Sequence, residues 1–168
     1  SMLSDLLGHF AVVSLGPDDI ALVQGAPANR RRFLDALLSQ HSSEYLHNLR
    51  HYNRFLKQRN HLLKAKNNTG GVFDSISYEL VNYGVKIMEE RHKWVLRLNE
   101  STQRLYHIIA GGKESLEVSY KTTLELSDNL IVAFHDKLNS RKERELVLGS
   151  TQYGPHKDDL ELILKGHS

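Results

Sequence analysis

Two apolar seams at helical spacing, divided by a turn that no helix crosses, constrain this chain more than any other feature. In the first, Tyr45, Leu49, Tyr52, Leu56, Arg59 and Leu63 follow a 4-3-4-3-4 spacing, a heptad seam interrupted by one cation. Asn67-Asn68-Thr69-Gly70-Gly71 then reads as a turn. In the second, Phe73, Leu80, Ile87, Trp94 and Ile108 stand at multiples of seven, with Ile76, Met88, Val95, Leu98 and Leu105 beside them. A helix from Phe73 to about Ala110 is on the order of 57 Å long at about 1.5 Å per residue. Two such seams predict an antiparallel helical hairpin, an arm, whose first helix is capped by Ser42 or Ser43. Trp94, a large aromatic at a heptad position, reads as packing.

The flanks carry a different pattern. Phe10 to Ser14 is a short apolar run ended by Gly16-Pro17, readable as a strand. Asp18 to Val23 suggests a helical turn, and Pro27 suits the first position of a helix running to about Gln40. That helix has Phe33, Leu34, Leu37 and Leu38 for its buried face, with Arg31 and Asp35 spaced to pair across its surface. Gly111-Gly112 ends the long helix, and Leu116, Val118 and Tyr120 alternate as a strand does. Ser127-Asp128 predicts a cap for a helix through about Glu145, with Leu130, Ile131, Phe134 and Leu138 inward. Tyr153-Gly154-Pro155 must turn, since Gly-Pro suits neither a helix interior nor a central strand. His156-Lys157-Asp158-Asp159 follow, at the mouth of a strand carrying Leu160, Leu162 and Leu164. The expected class is mainly α (α+β): a coiled-coil-like arm between short flanking strands. Its divisions are 1–41, 42–111 for the arm, and 112–168.

Charge locates the candidate surfaces. The net charge of +2 excludes a strongly basic nucleic-acid binder as a whole, but its distribution is uneven. Between Ser43 and Lys66 one acid, Glu44, faces Arg50, Arg54, Lys57, Arg59, Lys64 and Lys66. Arg50, Arg54 and Lys57 fall on one helix face, a stripe able to neutralise phosphates without reading bases. The plainer reading is a solvated face, or partners for Glu89 and Glu90. Arg30, Arg31 and Arg32 cannot share one face, because successive helix residues point about 100° apart, and a structural role suits them better. His47 and His51 have the spacing of a zinc helix but lack a third ligand on that helix beyond Glu44, so they read as surface histidines. His156 with Asp158 and Asp159 admits a metal-dependent phosphoesterase reading; turn-capping carboxylates, or a pair with Lys157, account for it more simply. No disulfide or thiolate metal site is possible without cysteine, which fits a reducing cytosol.

Four blocks, taken together, are specific. Pro17-Asp18-Asp19-Ile20, then Gly25-Ala26-Pro27-Ala28-Asn29-Arg30-Arg31-Arg32-Phe33-Leu34-Asp35, then Leu56-Lys57-Gln58-Arg59-Asn60, then Gly154-Pro155-His156-Lys157-Asp158-Asp159 occur in that order. In this order they resemble the RecF family of bacterial recombination mediators, ATPase heads of the SMC and ABC class. The match touches about two thirds of the chain, with Asp18 where Glu is usual, Ile20 for Leu, and Lys157 where Arg is common. Lysine keeps the charge but not the bidentate fork.

The resemblance implies an internal stretch, roughly half of such a protein. The family's Walker A, signature and Walker B motifs are absent, and Gly111-Gly112-Lys113-Glu114 lacks the first glycine and the magnesium-binding hydroxyl of a Walker A loop. The chain by itself is therefore expected not to hydrolyse ATP, and no catalytic or metal residue is assigned. The whole protein, by resemblance, binds ATP and magnesium, dimerises on ATP, and recognises duplex DNA beside single-stranded gaps. It acts in the bacterial cytoplasm with RecR and RecO to load RecA. On that basis Arg50, Arg54, Lys57, Arg59 and Lys64 are the DNA-contact candidates. Arg30, Arg31, His156, Lys157, Asp158 and Asp159 are candidates for the head junction or a nucleotide-proximal element. A protein-docking arm without DNA contact, with RecR as partner, is the alternative.

Overall fold

The computed structural model describes residues 16, 20–66 and 70–166. The expected strand at Phe10–Ser14, the Pro17–Asp19 block and the turn residues Asn67–Thr69 lie outside these residues. The described chain is mainly helical with one two-stranded antiparallel sheet. Its elements are α1 (Ile20–Gln24), α2 (Pro27–His41), α3 (Ser43–Lys64), α4 (Gly71–Ile109), β1 (Glu114–Lys121), α5 (Leu130–Ser140), α6 (Lys142–Leu148) and β2 (Asp159–Gly166).

Local chemistry sets the boundaries. Pro27 opens α2, where its missing N–H loses nothing. Ser42 then serves two helices: its N–H donates to Leu38 O at 2.8 Å to close α2, and its hydroxyl accepts from Tyr45 N at 3.1 Å to open α3. Gly111 and Gly112, at φ +59° and +78°, supply the left-handed residues that stop α4. The sheet pairs Glu114 with Gly166 through to Lys121 with Asp159, so the residues after the Gly-Pro turn are held on the strand that follows the long helix.

α3 and α4 form the antiparallel hairpin, with Tyr45, Tyr52, Leu63, Phe73, Leu80, Ile87 and Met88 buried along it. The second seam does not stay with the first. α3 has 22 residues and α4 has 39. Beyond Val95 the long helix has outrun its partner and lies against β1, where Asn99 Oδ1 accepts from Val118 N at 2.8 Å. Leu105 and Ile108, assigned to the seam by periodicity, are 54% and 71% exposed. Gly84 lets Tyr52 of α3 and Phe134 of α5 approach α4 together, since a Cβ there would lie 2.8 Å from Phe134 Cε1 and 3.1 Å from Tyr52 Cε2. One apolar core includes Leu38, Tyr52, Leu80, Val118, Phe134 and Leu160, so it draws on all three sequence divisions.

Several expectations are corrected here. The helix expected from Ser127–Asp128 to Glu145 is two helices, broken at Arg141, and the break turns Glu145 into the core. Phe33 and Ile131, expected inward, are exposed. The Arg31–Asp35 surface pair does not form, because Asp35 is taken by Arg91 and Tyr45. Two of the buried polar side chains, Arg59 and Arg91, are among the largest groups sealed in the core.

Candidate functional site: a junction lock beneath a basic helix face

The Gly-Pro-His block is the centre of a polar lock. Gly154 adopts φ +118° with no room for a side chain: a Cβ would lie 2.6 Å from Phe134 Cζ and 2.7 Å from Tyr52 Oη. His156 then turns inward. Its Nε2 is 3.0 Å from Thr151 O, which only accepts, so Nε2 carries the proton. Its Nδ1 is 2.6 Å from the Tyr52 hydroxyl and accepts from it. Burial lowers the imidazole to about 4, against a smaller raising effect of the Thr151 carbonyl, so the ring is neutral at pH 7.

The two aspartates are used differently. Asp158 is buried and accepts from Tyr120 Oη at 2.5 Å, Thr123 N at 2.9 Å and Thr123 Oγ1 at 3.2 Å. Desolvation raises its pKa, and those hydrogen bonds oppose the rise. Asp159 takes a bidentate fork from Arg30, Nε to Oδ1 and Nη2 to Oδ2 at 2.8 Å each. That fork holds the Asp159 carboxyl below its ordinary value. Arg30 also donates to Gly25 O at 2.8 Å, and Arg31 donates to Asp158 O at 2.7 Å. The first two residues of the arginine run therefore tie α2 to the start of β2. Lys157 is exposed and pairs with neither aspartate. With both imidazole nitrogens, Asp158 and Asp159 all engaged with different partners, the three do not converge on a common ion, and the geometry gives the phosphoesterase reading no support.

Two buried arginines complete the lock. Arg91 of α4 donates to Asp35 Oδ1 at 2.6 Å, Tyr45 Oη at 3.0 Å and Pro155 O at 2.7 Å. Burial disfavours its charge, but the Tyr45 and Asp35 partners outweigh that and its pKa lies above the ordinary value. Arg59 of α3 pairs with Glu145 at 2.7 Å, both sealed from solvent, and donates to Thr151 Oγ1 at 2.7 Å and Ser77 Oγ at 3.0 Å. The second Glu145 oxygen accepts from Gln152 N at 2.7 Å. Asn60 accepts from Thr151 N at 2.7 Å. Arg59 is therefore not available to phosphates: at 1% exposure it is a core residue, and its expected DNA contact is corrected.

The remaining candidates of α3 lie outside. Arg50, Arg54, Lys57 and Lys64 are all exposed. Lys64, a further seven residues on from Lys57, continues the face that Arg50 and Lys57 begin. Among the described residues none of the four has a carboxylate at ion-pair distance. Glu90, offered above as a partner, faces Lys93 at 4.0 Å instead. His47 and His51 do not gather a metal-ligand cluster among the described residues. Their rings pack against each other and against Tyr83.

Sequence reading missed Arg91, Glu145, Tyr120 and Thr151. Arg91 had a signal: it stands four residues from both Ile87 and Val95, on the apolar face, where a cation needs a buried partner. Glu145 had none, because its inward turn depends on the helix break at Arg141.

Set against known proteins, the chain is 38% identical over 166 residues to a protein of Halalkalibacterium halodurans described as DNA replication and repair protein RecF. A Streptococcus suis protein of the same description is 38% identical over 167 residues. The alignments cover 94% and 98% of this chain. Among solved structures, the recombination mediator protein RecF–ATP of the RecFOR pathway superposes with a TM-score of 0.87 at 28% identity over 95% of the chain. The chain belongs to the RecF family. It spans 45% and 46% of the length of those two relatives. A second RecF structure, described as RecF–ATPrS, gives a TM-score of 0.88 at 30% identity, with 98% of this chain and 46% of that one covered. No protein-family model matches the chain. Within the RecF family, then, the four blocks on which the resemblance rests fall on α2, α3 and the turn before β2, apart from the Pro17–Asp19 positions and Ile20 at the start of α1.

Proposed function

We propose that this chain serves DNA repair and replication as the arm-bearing part of a RecF protein, and that the outer face of α3 holds DNA by its phosphates. The observation that carries this is the set Arg50, Arg54, Lys57 and Lys64: four exposed cations on one helix with no carboxylate partner among the described residues. Unpaired cations in a row gain more from a polyanion than from water, through counterion release. Arg30, Arg31, His156, Lys157, Asp158 and Asp159 form or flank the junction that ties α2 and α3 to the segment leading into β2, so that the basic face is presented by a packed support. The relatives' names and the ATP-bound neighbours support the wider reading. In it the whole protein binds ATP with magnesium, dimerises on it, and works at single-strand gaps with RecR and RecO to load RecA in the bacterial cytoplasm.

Fluorescence anisotropy of a labelled gapped duplex, titrated with the chain over a salt series, tests the phosphate face. The expected result is affinity falling linearly in log salt, with a shallower slope for Arg54→Glu and Lys57→Glu. No binding at low salt would remove the arm from DNA recognition. A second reading, docking of a protein such as RecR, is favoured by one observation: Leu105, Ile108 and Ile109 leave an apolar end of α4 exposed.

A further inference from the structure

The tip of the hairpin carries a groove whose apolar floor serves neither the junction lock nor the phosphate face. Its volume is about 380 Å³, and it lies between the last turns of α3 and the first turns of α4. Lys57, Gln58, His61, Leu62, Val72 and Ile76 line it. Each wall is built from residues one turn apart: Lys57 with His61 and Gln58 with Leu62 on α3, Val72 with Ile76 on α4. Phe73 and Leu80 of α4 take the core positions, which leaves Val72 69% exposed and Leu62 and Ile76 half-buried beside it. Contiguous aliphatic surface of this kind, rimmed by polar side chains, is the composition of a docking groove.

The charge on the groove is one-sided. A lysine and a histidine line it, no carboxylate does, and exposed Lys64 follows His61 by three residues. Asp74 and Glu79, the first acids of α4, line a different groove with Tyr78, His135 and Asn139. Neither Lys57 nor Lys64 has an ion pair among the described residues. The helix ends contribute little net field here: α3 presents its carbonyl end and α4 its amide end, and the two dipoles oppose each other. The side chains therefore set the sign, and it is positive.

We propose that this groove docks a short amphipathic segment of a protein partner, apolar on one side and acidic on the other. Its apolar side chains cover Leu62, Val72 and Ile76 while its carboxylates meet Lys57, His61 and Lys64. The two halves of the site discriminate between occupants. Phosphates would satisfy the lysines but leave the aliphatic floor in water. A wholly apolar segment would cover the floor but leave the lysines facing it without partners. The proposal does not rest on the phosphate face, although Lys57 belongs to both surfaces.

The test pans a displayed library of short random peptides against the chain, then measures an enriched, fluorescein-labelled peptide by anisotropy. Peptides that combine Asp or Glu with Leu, Ile or Phe at helical spacing are expected to be enriched. Val72→Ser and His61→Glu, both at exposed helix positions, are each expected to weaken that peptide about fivefold or more, whereas Tyr78→Ser in the neighbouring groove should change it by less than about twofold. No enrichment, enrichment of acidic peptides without apolar residues, or binding indifferent to both Val72→Ser and His61→Glu overturns the proposal. The gapped duplex separates the two readings: Val72→Ser should bind it as the parent does. Failure of the chain to bind that duplex, with peptide binding intact, would remove the phosphate face and leave the groove standing.

Discussion

The inner and outer faces of one helix hairpin carry the same residue types to opposite ends. Inside, Arg59 and Arg91 are sealed at 1% and 2% exposure, each paired with a carboxylate and further hydrogen-bonded. Outside, Arg50, Arg54, Lys57 and Lys64 stand in solvent without an ion pair among the described residues. A guanidinium removed from water loses its hydration and must recover it from fixed partners, so an inner arginine is committed to one geometry. An outer one is bound to no carboxylate, and can exchange water for a phosphate; among the described residues Arg54 touches only the Phe55 and His51 rings. The inner set positions; the outer set is free to bind.

The largest effect belongs inside. Glu145→Ala leaves Arg59 charged and unpaired in the core, and a loss of about 3–5 kcal/mol in urea unfolding is expected. A loss under about 1 kcal/mol would show that the pair is replaceable and the comparison too sharp.

Acid probes the same region through His156. Its folded value of about 4 lies below the ordinary 6.5, so its contribution is complete above pH 6.5 and disappears as pH falls towards 4. Stability should therefore drop by on the order of 3 kcal/mol across that window, from the linkage of burial to protonation. Asp158 acts in the opposite sense: its raised pKa favours the folded state at low pH, and that contribution is lost as pH rises. His51, also held below its ordinary value, adds to the drop, so the share that belongs to His156 is the difference between the chain and His156→Gln. A profile that His156→Gln leaves unchanged would deny His156 this role.

Gly154→Ala tests the turn that aims the block. Strain at φ +118° and contact with Phe134 and Tyr52 predict about 2–3 kcal/mol of destabilisation. Removing the half-buried fork by Asp159→Asn should have a milder effect, about 1 kcal/mol.

The smallest stability effect is predicted outside. Arg50→Ala and Lys64→Ala should change unfolding by less than about 0.5 kcal/mol while lowering DNA affinity at low salt. Loss of stability without loss of affinity would invert the two faces.

Much of the fold was legible because it is local. The heptad spacing marked α3 and α4, Pro27 and Gly111-Gly112 marked helix ends, and alternating leucines marked β2. Periodicity overreached where a helix outlasted its partner: Leu105 and Ile108 keep the spacing of the seam, but α3 is too short to cover them. The cationic stripe was legible as charge, and Arg59 was misread by being counted with it although its spacing places it in the apolar seam. The contact of Tyr83 with His51 and Phe55 had no one-dimensional signal, since the three rings meet only across the hairpin.

The sequence by itself determined the spans of α2, α3 and α4, the turn at Gly154-Pro155 and the family resemblance, because these depend on spacing and on the backbone limits of glycine and proline. Only the tertiary structure decided which arginines became core and which remained surface. That choice rests on Glu145 and Asp35 arriving from distant parts of the chain to neutralise Arg59 and Arg91, and the energy of a buried charge depends on the partner that reaches it.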